Sequence, residues 1–257
     1  MILLSYDHAS DSTTPTHRVH TPSWILAALA DRITTEPKSH VQARKSPDWS
    51  QWEAGELREL KSLEDHGCFI PVKLPPGVRA LPLMWIYKIK YDDASTIETR
   101  KISVYKARLV VLGNLAKAGV DFDETFSPVI WAEVLRLLLT IAASEDLELE
   151  QMDVRTAFLN AGSDRDIYVL FPPGYPSLTP GHNALKLAKS VYGLRQAPRL
   201  WFACLVSFLL SQGWTQLRKD TYVFIKLING ARAYIGVYVD EITILAATPV
   251  IMHEIKE

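Results

Sequence analysis

Apolar and polar positions recur along this chain in helical spacing at some stretches and in alternation at others. In "SQWEAGELRELKSLEDHG", Trp52, Leu57, Leu60 and Leu63 return at roughly helical intervals, and Gly67 stands where such a helix would be capped. "CFIPVKLPPGV" and "MWIYKIKYDD" predict strands around a Pro-rich turn, and "ISVYKARLVVLGN" a further strand with basic residues on it. "WAEVLRLLLTIAASED" predicts a helix with a broad apolar face. "LELEQMDV" alternates Leu147 and Leu149 with Glu148 and Glu150 and then arrives at Asp153. "QAPRLWFACLVSFLLSQGW" predicts a helix with Pro198 in its first turn. Leu200, Trp201, Cys204, Leu205, Phe208 and Leu209 share one face of it, and Gly213 ends it. In "GVYVDEITIL" two runs rich in β-branched and aromatic residues, Tyr234 to Val239 and Ile242 to Leu245, flank Asp240-Glu241, which predicts a hairpin turning on those two acids. Strands and helices mix without a regular βαβ rhythm or a repeat, so the fold class is α+β.

That hairpin tip breaks the usual turn chemistry. A two-residue hairpin wants Asn-Gly, Asp-Gly or a Gly-X pair, because its backbone visits positive φ. Two carboxylates ~4 Å apart at an effective dielectric of ~20 repel by roughly 4 kcal/mol. Asp153 ends an alternating strand, and if that strand pairs with the hairpin, three acids converge. Such a cluster needs a neutralising cation. Hard oxygen ligands suit Mg²⁺, which shares phosphate oxygens with a substrate, and two such ions clamp the attacking and leaving oxygens of a phosphoryl transfer. The competing reading is a solvated turn and an ordinary strand-end acid, and on spacing alone it is the stronger.

Composition changes this picture little, but charge placement does. The chain has 257 residues, 48% apolar, with a net charge of −1, enough for a sizeable core and neutral on a polyanionic partner. Cys68 and Cys204 make neither a disulfide framework nor a metal spacing, and suit a reducing compartment. No signal peptide is recognisable, and the apolar runs are too short to span a bilayer. The bases segregate. Lys88, Lys90, Arg100, Lys101, Lys106 and Arg108 form one group, and Lys186, Lys189, Arg195 and Arg199 another with no acid among them. Bases hold phosphates and acids hold metals, although Lys also guards strand edges against pairing. Residues 5–48, rich in Ser, Thr, Pro and His, predict a weakly ordered leader with one short helix at Trp24 to Ile33, and structure is expected to begin near Trp49.

Seven blocks, "YKARLVVLG", "GVDFDETFSPV", "LRLLLTIAA", "LELEQMDVRTAFLN", "IYVLFPPGY", "KSVYGLRQAPRLW" and "VYVDEITIL", resemble in order and spacing the reverse transcriptase domain of Ty1/copia-type retrotransposon polyproteins. The resemblance covers about four fifths of the chain, from Trp52 on. It implies a leader over residues 1–48 and a domain over 49–257, with polymerase fingers at about 49–128 and 161–199. The palm would take about 129–160 and 200–257, with a mostly antiparallel sheet backed by helices. It further implies an RNA-directed DNA polymerase that uses a primed RNA or DNA template and deoxynucleoside triphosphates, with two Mg²⁺ ions (or Mn²⁺), inside the cell and away from membranes. Asp153 and Asp240 match the metal-binding aspartates, and Glu241 stands where the family has a second Asp. Phe158, five residues after Asp153, matches the aromatic under the incoming sugar. Arg108 matches the arginine on the nucleotide's phosphates, with Lys88 or Lys106 as a second contact, and Gln196 matches the glutamine near sugar and template. Three departures stand out. Glu replaces Asp at 241, Leu112 lacks the expected base, and no counterpart of the thumb follows the hairpin. The expectation is therefore a truncated, weak or inactive polymerase. The alternative is a catalytically silent remnant that at most binds nucleic acid.

Overall fold

The computed structural model describes residues 35–92, 101–125, 127, 130–177 and 180–256. The expected helix at Trp24 to Ile33 and the base Arg100 lie outside these residues. One compact unit runs from Pro37 to Glu257. Its elements are α1 (His40–Arg44), α2 (Trp49–Asp65), β1 (Phe69–Val72), β2 (Leu83–Tyr91), β3 (Ile102–Val111), α3 (Ala132–Ser144), β4 (Glu148–Asp153), β5 (Tyr168–Val169), β6 (Ala184–Leu187), α4 (Ala197–Ser211), β7 (Thr215–Gln216), β8 (Val223–Ile228), β9 (Ala231–Tyr238), β10 (Glu241–Ala246) and α5 (Pro249–Lys256).

The strands form three sheets, ordered β4-β10-β9-β8-β7, β2-β3 and β1-β6-β5, and every ladder is antiparallel. The class is α+β, as the mixed patterning predicts. β1 does not pair with β2 across the Pro-rich turn. It pairs with β6, more than a hundred residues on. The β8–β9 hairpin turns on Asn229-Gly230 at φ 53° and 83°, the pair that suits a two-residue turn with positive φ at both positions.

Structure begins before Trp49. Ser39 caps α1 by accepting from the Gln42 amide, and Ala43 is fully buried. His40 Nδ1 lies 2.9 Å from Glu56 Oε1, and the hydroxyls of Tyr87 and Tyr175 donate to the same carboxylate. Glu56 is fully buried, so these donors replace the water it has lost. The "leader" up to residue 48 is thus part of the body from Pro37 onward, because a polar network rather than an apolar stripe holds it.

α2 lies along the outer edge of β3. Arg58 Nη2 donates to the Tyr105 carbonyl at 3.1 Å, and the Leu109 amide donates to Glu59 Oε1 at 3.2 Å. A Cβ on Gly55 would sit 2.8 Å from that Tyr105 oxygen, so the helix approaches as closely as it does only with glycine there.

Two hydrophobic cores result. One packs α3, α4 and α5 against the five-stranded sheet, and the other packs α1 and α2 with the two smaller sheets. Each fully buried large apolar side chain contributes roughly 1.5–3 kcal/mol. Phe158 packs against both cores. On α4 the buried stripe is Ala197, Trp201, Leu205 and Leu209, an i, i+4 series. Phe208, expected on the buried face, is 57% exposed instead, because the helix is apolar over a wider arc than the sheet covers. No helix among the described residues is long and apolar enough to cross a membrane.

Candidate active site

The site is built at one end of the five-stranded sheet. Asp153 ends β4 and stands directly opposite Glu241, the first residue of β10. Glu241 in turn stands opposite Tyr238 of β9. The turn between them is therefore Val239-Asp240, one residue earlier than the sequence suggested. Asp240 occupies the turn and Glu241 has joined the strand, so the residue facing Asp153 across the ladder is Glu241, not Asp240. Val239 takes φ 56°, which costs a β-branched residue roughly 1–3 kcal/mol. Its surroundings hold it there: the Trp201 indole donates to the Val239 carbonyl at 2.8 Å, and the Val154 amide donates to the Asp240 carbonyl at 2.8 Å. The second bond ties the turn to the residue after Asp153.

Opposed residues on antiparallel neighbours point to the same face with Cβ atoms about 4.5–5.5 Å apart. Asp153 and Glu241 therefore share a face. The Glu241 carboxylate accepts from Gln151 Nε2 at 3.1 Å. Among the described residues no three His, Cys, Asp or Glu side chains are arranged to hold one ion. The expected three-acid cage is therefore absent. Mg²⁺, however, is commonly held by one or two carboxylates, with water and substrate oxygens completing its shell; Asp153 supplies one carboxylate at the strand end and Asp240 another in the adjoining turn.

Between Asp153 and Phe158 the chain passes through Thr156 at φ 53°. The Thr156 hydroxyl lies 3.2 Å from His66 Nε2, at the end of α2. A single turn of 3-10 helix over Ala157–Asn160 then places Phe158 beside Tyr192, with ring centroids 5.3 Å apart and planes at 62°.

Four of the expected basic residues, Lys88, Lys90, Lys106 and Arg108, share one face of the β2-β3 ribbon, where Arg108 stands opposite Ile86 and Lys106 opposite Lys88. The Arg108 guanidinium lies 4.0 Å over the Tyr192 ring. Burial pulls the Lys106 ammonium below its ordinary value, the charges of Arg108 and Lys90 add to that, and Glu59 and Asp153 oppose it. Burial pushes the Tyr192 phenol up, Arg108 works against it, and Glu59, Asp240 and Asp153 reinforce it. The strand-end acids and the basic ribbon are thus within electrostatic reach of one tyrosine.

The second basic group does not present itself to a ligand in this way. Lys186 pairs with Asp166 at 2.7 Å, Arg199 pairs with Asp164, and Arg195 Nε donates to the Gly113 carbonyl at 2.9 Å. Acids missing from the local sequence are supplied from the 164–166 loop. Gln196 is 1% exposed and its amide donates to the Asp121 carbonyl at 2.9 Å, so it braces a loop. Tyr192 was not singled out in the sequence, where the only signal was an aromatic directly before the glycine of "VYGLRQ".

The class is a mixed α+β domain whose antiparallel sheet ends in carboxylates, with a basic two-stranded ribbon in electrostatic reach of the same tyrosine. The chain belongs to the reverse transcriptase (RNA-dependent DNA polymerase) family, whose model matches residues 67–257, and within it to the copia type. It is 38% identical over 236 residues to the retrovirus-related Pol polyprotein from transposon TNT 1-94 of Nicotiana tabacum, covering 91% of this chain and 17% of that protein. It is 32% identical over 232 residues to the corresponding polyprotein from transposon RE1 of Arabidopsis thaliana, covering 90% of this chain and 15% of that one. The chain thus spans a small part of the curated relatives it matches.

Proposed function

We propose that this chain catalyses RNA-directed DNA synthesis, adding deoxynucleotides to a primer 3′-hydroxyl on an RNA or DNA template. The supporting observation is that the Val154 amide ties the Asp240 turn to the end of β4 beside Asp153, and that both acids act electrostatically on Tyr192, the ring under Arg108. In this reading the five-stranded sheet with its helices is the palm, and α1, α2 and the two smaller sheets are the fingers. Asp153 and Asp240 would hold two Mg²⁺ ions, whose charge stabilises the oxygens of an in-line phosphoryl transfer. Glu241, engaged with Gln151, supports the pair from the adjoining strand position. Arg108, with Lys106 and Lys88, meets the triphosphate, and Phe158 lies under the sugar and rejects a 2′-hydroxyl by its bulk. Positioning and charge compensation are most of what such catalysis consists of.

The test is primer extension by the purified chain on poly(rA) primed with oligo(dT), in Mg²⁺ or Mn²⁺. The parent chain should incorporate dTTP, and Asp153→Asn and Asp240→Asn should each lower the rate at least ~100-fold, on the scale of removing a group that stabilises transition-state charge. Binding of template-primer with no extension in either ion would instead establish the silent remnant. An Asp153→Asn chain as fast as the parent would refute the site.

A further inference from the structure

We propose that Tyr192 is a positioning residue for nucleotide binding: the face of its ring seats the Arg108 guanidinium, and the same ring packs edge-to-face with Phe158. The inference rests on the polymerase reading above and adds to it a single side chain that sets both the phosphate contact and the sugar contact.

The geometry carries it. The guanidinium carbon stands 4.0 Å from the Tyr192 centroid, inside the range in which a ring's quadrupole holds a cation. Phe158 meets the same ring at 5.3 Å and 62°, an edge-on contact. Arginine on an exposed strand face otherwise samples many rotamers, and a planar seat removes most of them. The seat itself is fixed by backbone. The Val111 amide donates to the Tyr192 carbonyl at 2.8 Å, which ties the tyrosine to the end of the strand that carries Arg108. Gly193, next in the chain, follows at φ 92° and lets the Val111 carbonyl approach where any Cβ would collide. The ring cannot drift away from β3 without breaking that junction. The charges of Asp240 and Asp153 also act on the Tyr192 hydroxyl, so the seat lies within electrostatic reach of the carboxylates.

A ring that only fills space between two cores would predict a different pattern from a ring that aligns ligand-binding groups. Lost packing lowers the fraction of folded chain, and so the apparent kcat, with KM and sugar choice unchanged. A lost seat leaves the turnover of correctly bound nucleotide and damages recognition. The experiment compares parent, Tyr192→Phe and Tyr192→Leu in single-nucleotide incorporation and in binding of dTTP to chain loaded with poly(rA)·oligo(dT). Tyr192→Leu should raise KM and Kd for dTTP by about 2–30-fold, the range a cation–π contact supplies, and lower the preference for dTTP over UTP. Its kcat at saturation should stay within about 2-fold, a change of under ~0.5 kcal/mol in the barrier. Tyr192→Phe keeps the ring and should match the parent in all three. A Leu variant with parental KM and parental sugar preference overturns the inference alone, provided the parent binds dTTP. A parent chain that binds no dTTP overturns both this inference and the polymerase reading.

Discussion

Substituting alanine at Gly193 tests the junction that holds the site together. Two costs can be separated. At φ 92° an L-residue is strained by roughly 1–3 kcal/mol. In addition, a Cβ would stand 2.1 Å from the Val111 oxygen and 2.8 Å from the Val111 nitrogen, both backbone atoms that cannot swing aside. The segments must part, and parting breaks the 2.8 Å bond from the Val111 amide to the Tyr192 carbonyl. Leaving that pair unsatisfied costs about 1–3 kcal/mol more. The sum, about 2–6 kcal/mol, is a large fraction of the 5–15 kcal/mol typical of a folded domain. For a domain of this size it corresponds to a fall in Tm of about 4–24 °C. Gly230 supplies the control: its φ is 83°, but nothing lies within 4 Å of a Cβ there. Thermal melts followed by circular dichroism should show Gly193→Ala losing more than Gly230→Ala by the broken-junction cost alone. Equal losses in the two variants would mean that the contact between the Tyr192 loop and β3 contributes nothing, and the reasoning about the seat would fail with it.

Three other outcomes follow from separate contacts. Trp201→Phe removes the indole donor from the Val239 carbonyl and should cost about 1–3 kcal/mol, read as a lower denaturation midpoint at unchanged slope. Burial raises the Glu59 carboxyl above its ordinary 4.5, so the folded state binds its proton more tightly than the unfolded state. Its contribution is fully present below pH 4.5 and is lost as pH rises through the raised value. Glu59→Gln keeps an acceptor for the Leu109 amide and should flatten the dependence of Tm on pH between 4.5 and the raised value; an unchanged profile would exclude Glu59 as its source. Cys68 is fully buried, with its thiol pushed up to about 11 by burial first of all, whereas Cys204 is only partly covered. Titration with a thiol reagent at neutral pH should find one fast thiol in the native chain and two in denaturant.

The alternating and helical stretches were legible because a single local pattern dictates them: Leu147 to Asp153 became β4 and "QAPRLWFACLVSFLLSQGW" became α4. Pairing was legible only where a short turn enforces it. β1 finds β6 through contacts that no local pattern encodes. The hairpin at the acids was displaced by one residue because a valine at positive φ is intrinsically unfavourable, and only the Trp201 indole and the Val154 amide make it tolerable. Asn229-Gly230 is a strong local turn signal, and Ser39, three residues before Gln42, marks the head of α1. At the site, Asp153 was readable as an acid at a strand end and Asp240 as an acid on a hairpin tip. The pairing of Arg199 and Lys186 with acids from another loop was not, since it depends on tertiary placement.

The helix laid along β3 bears on where this domain can be cut. The family model begins at residue 67, but the compact body starts at Pro37. A chain trimmed to the residues the family model matches would lose Arg58 and Glu59 and bare the hydrogen-bonding rim of a ten-residue strand. Such a rim is a template on which a second copy can add its own strand. The residues that cover this rim therefore lie upstream of the segment that the family model matches.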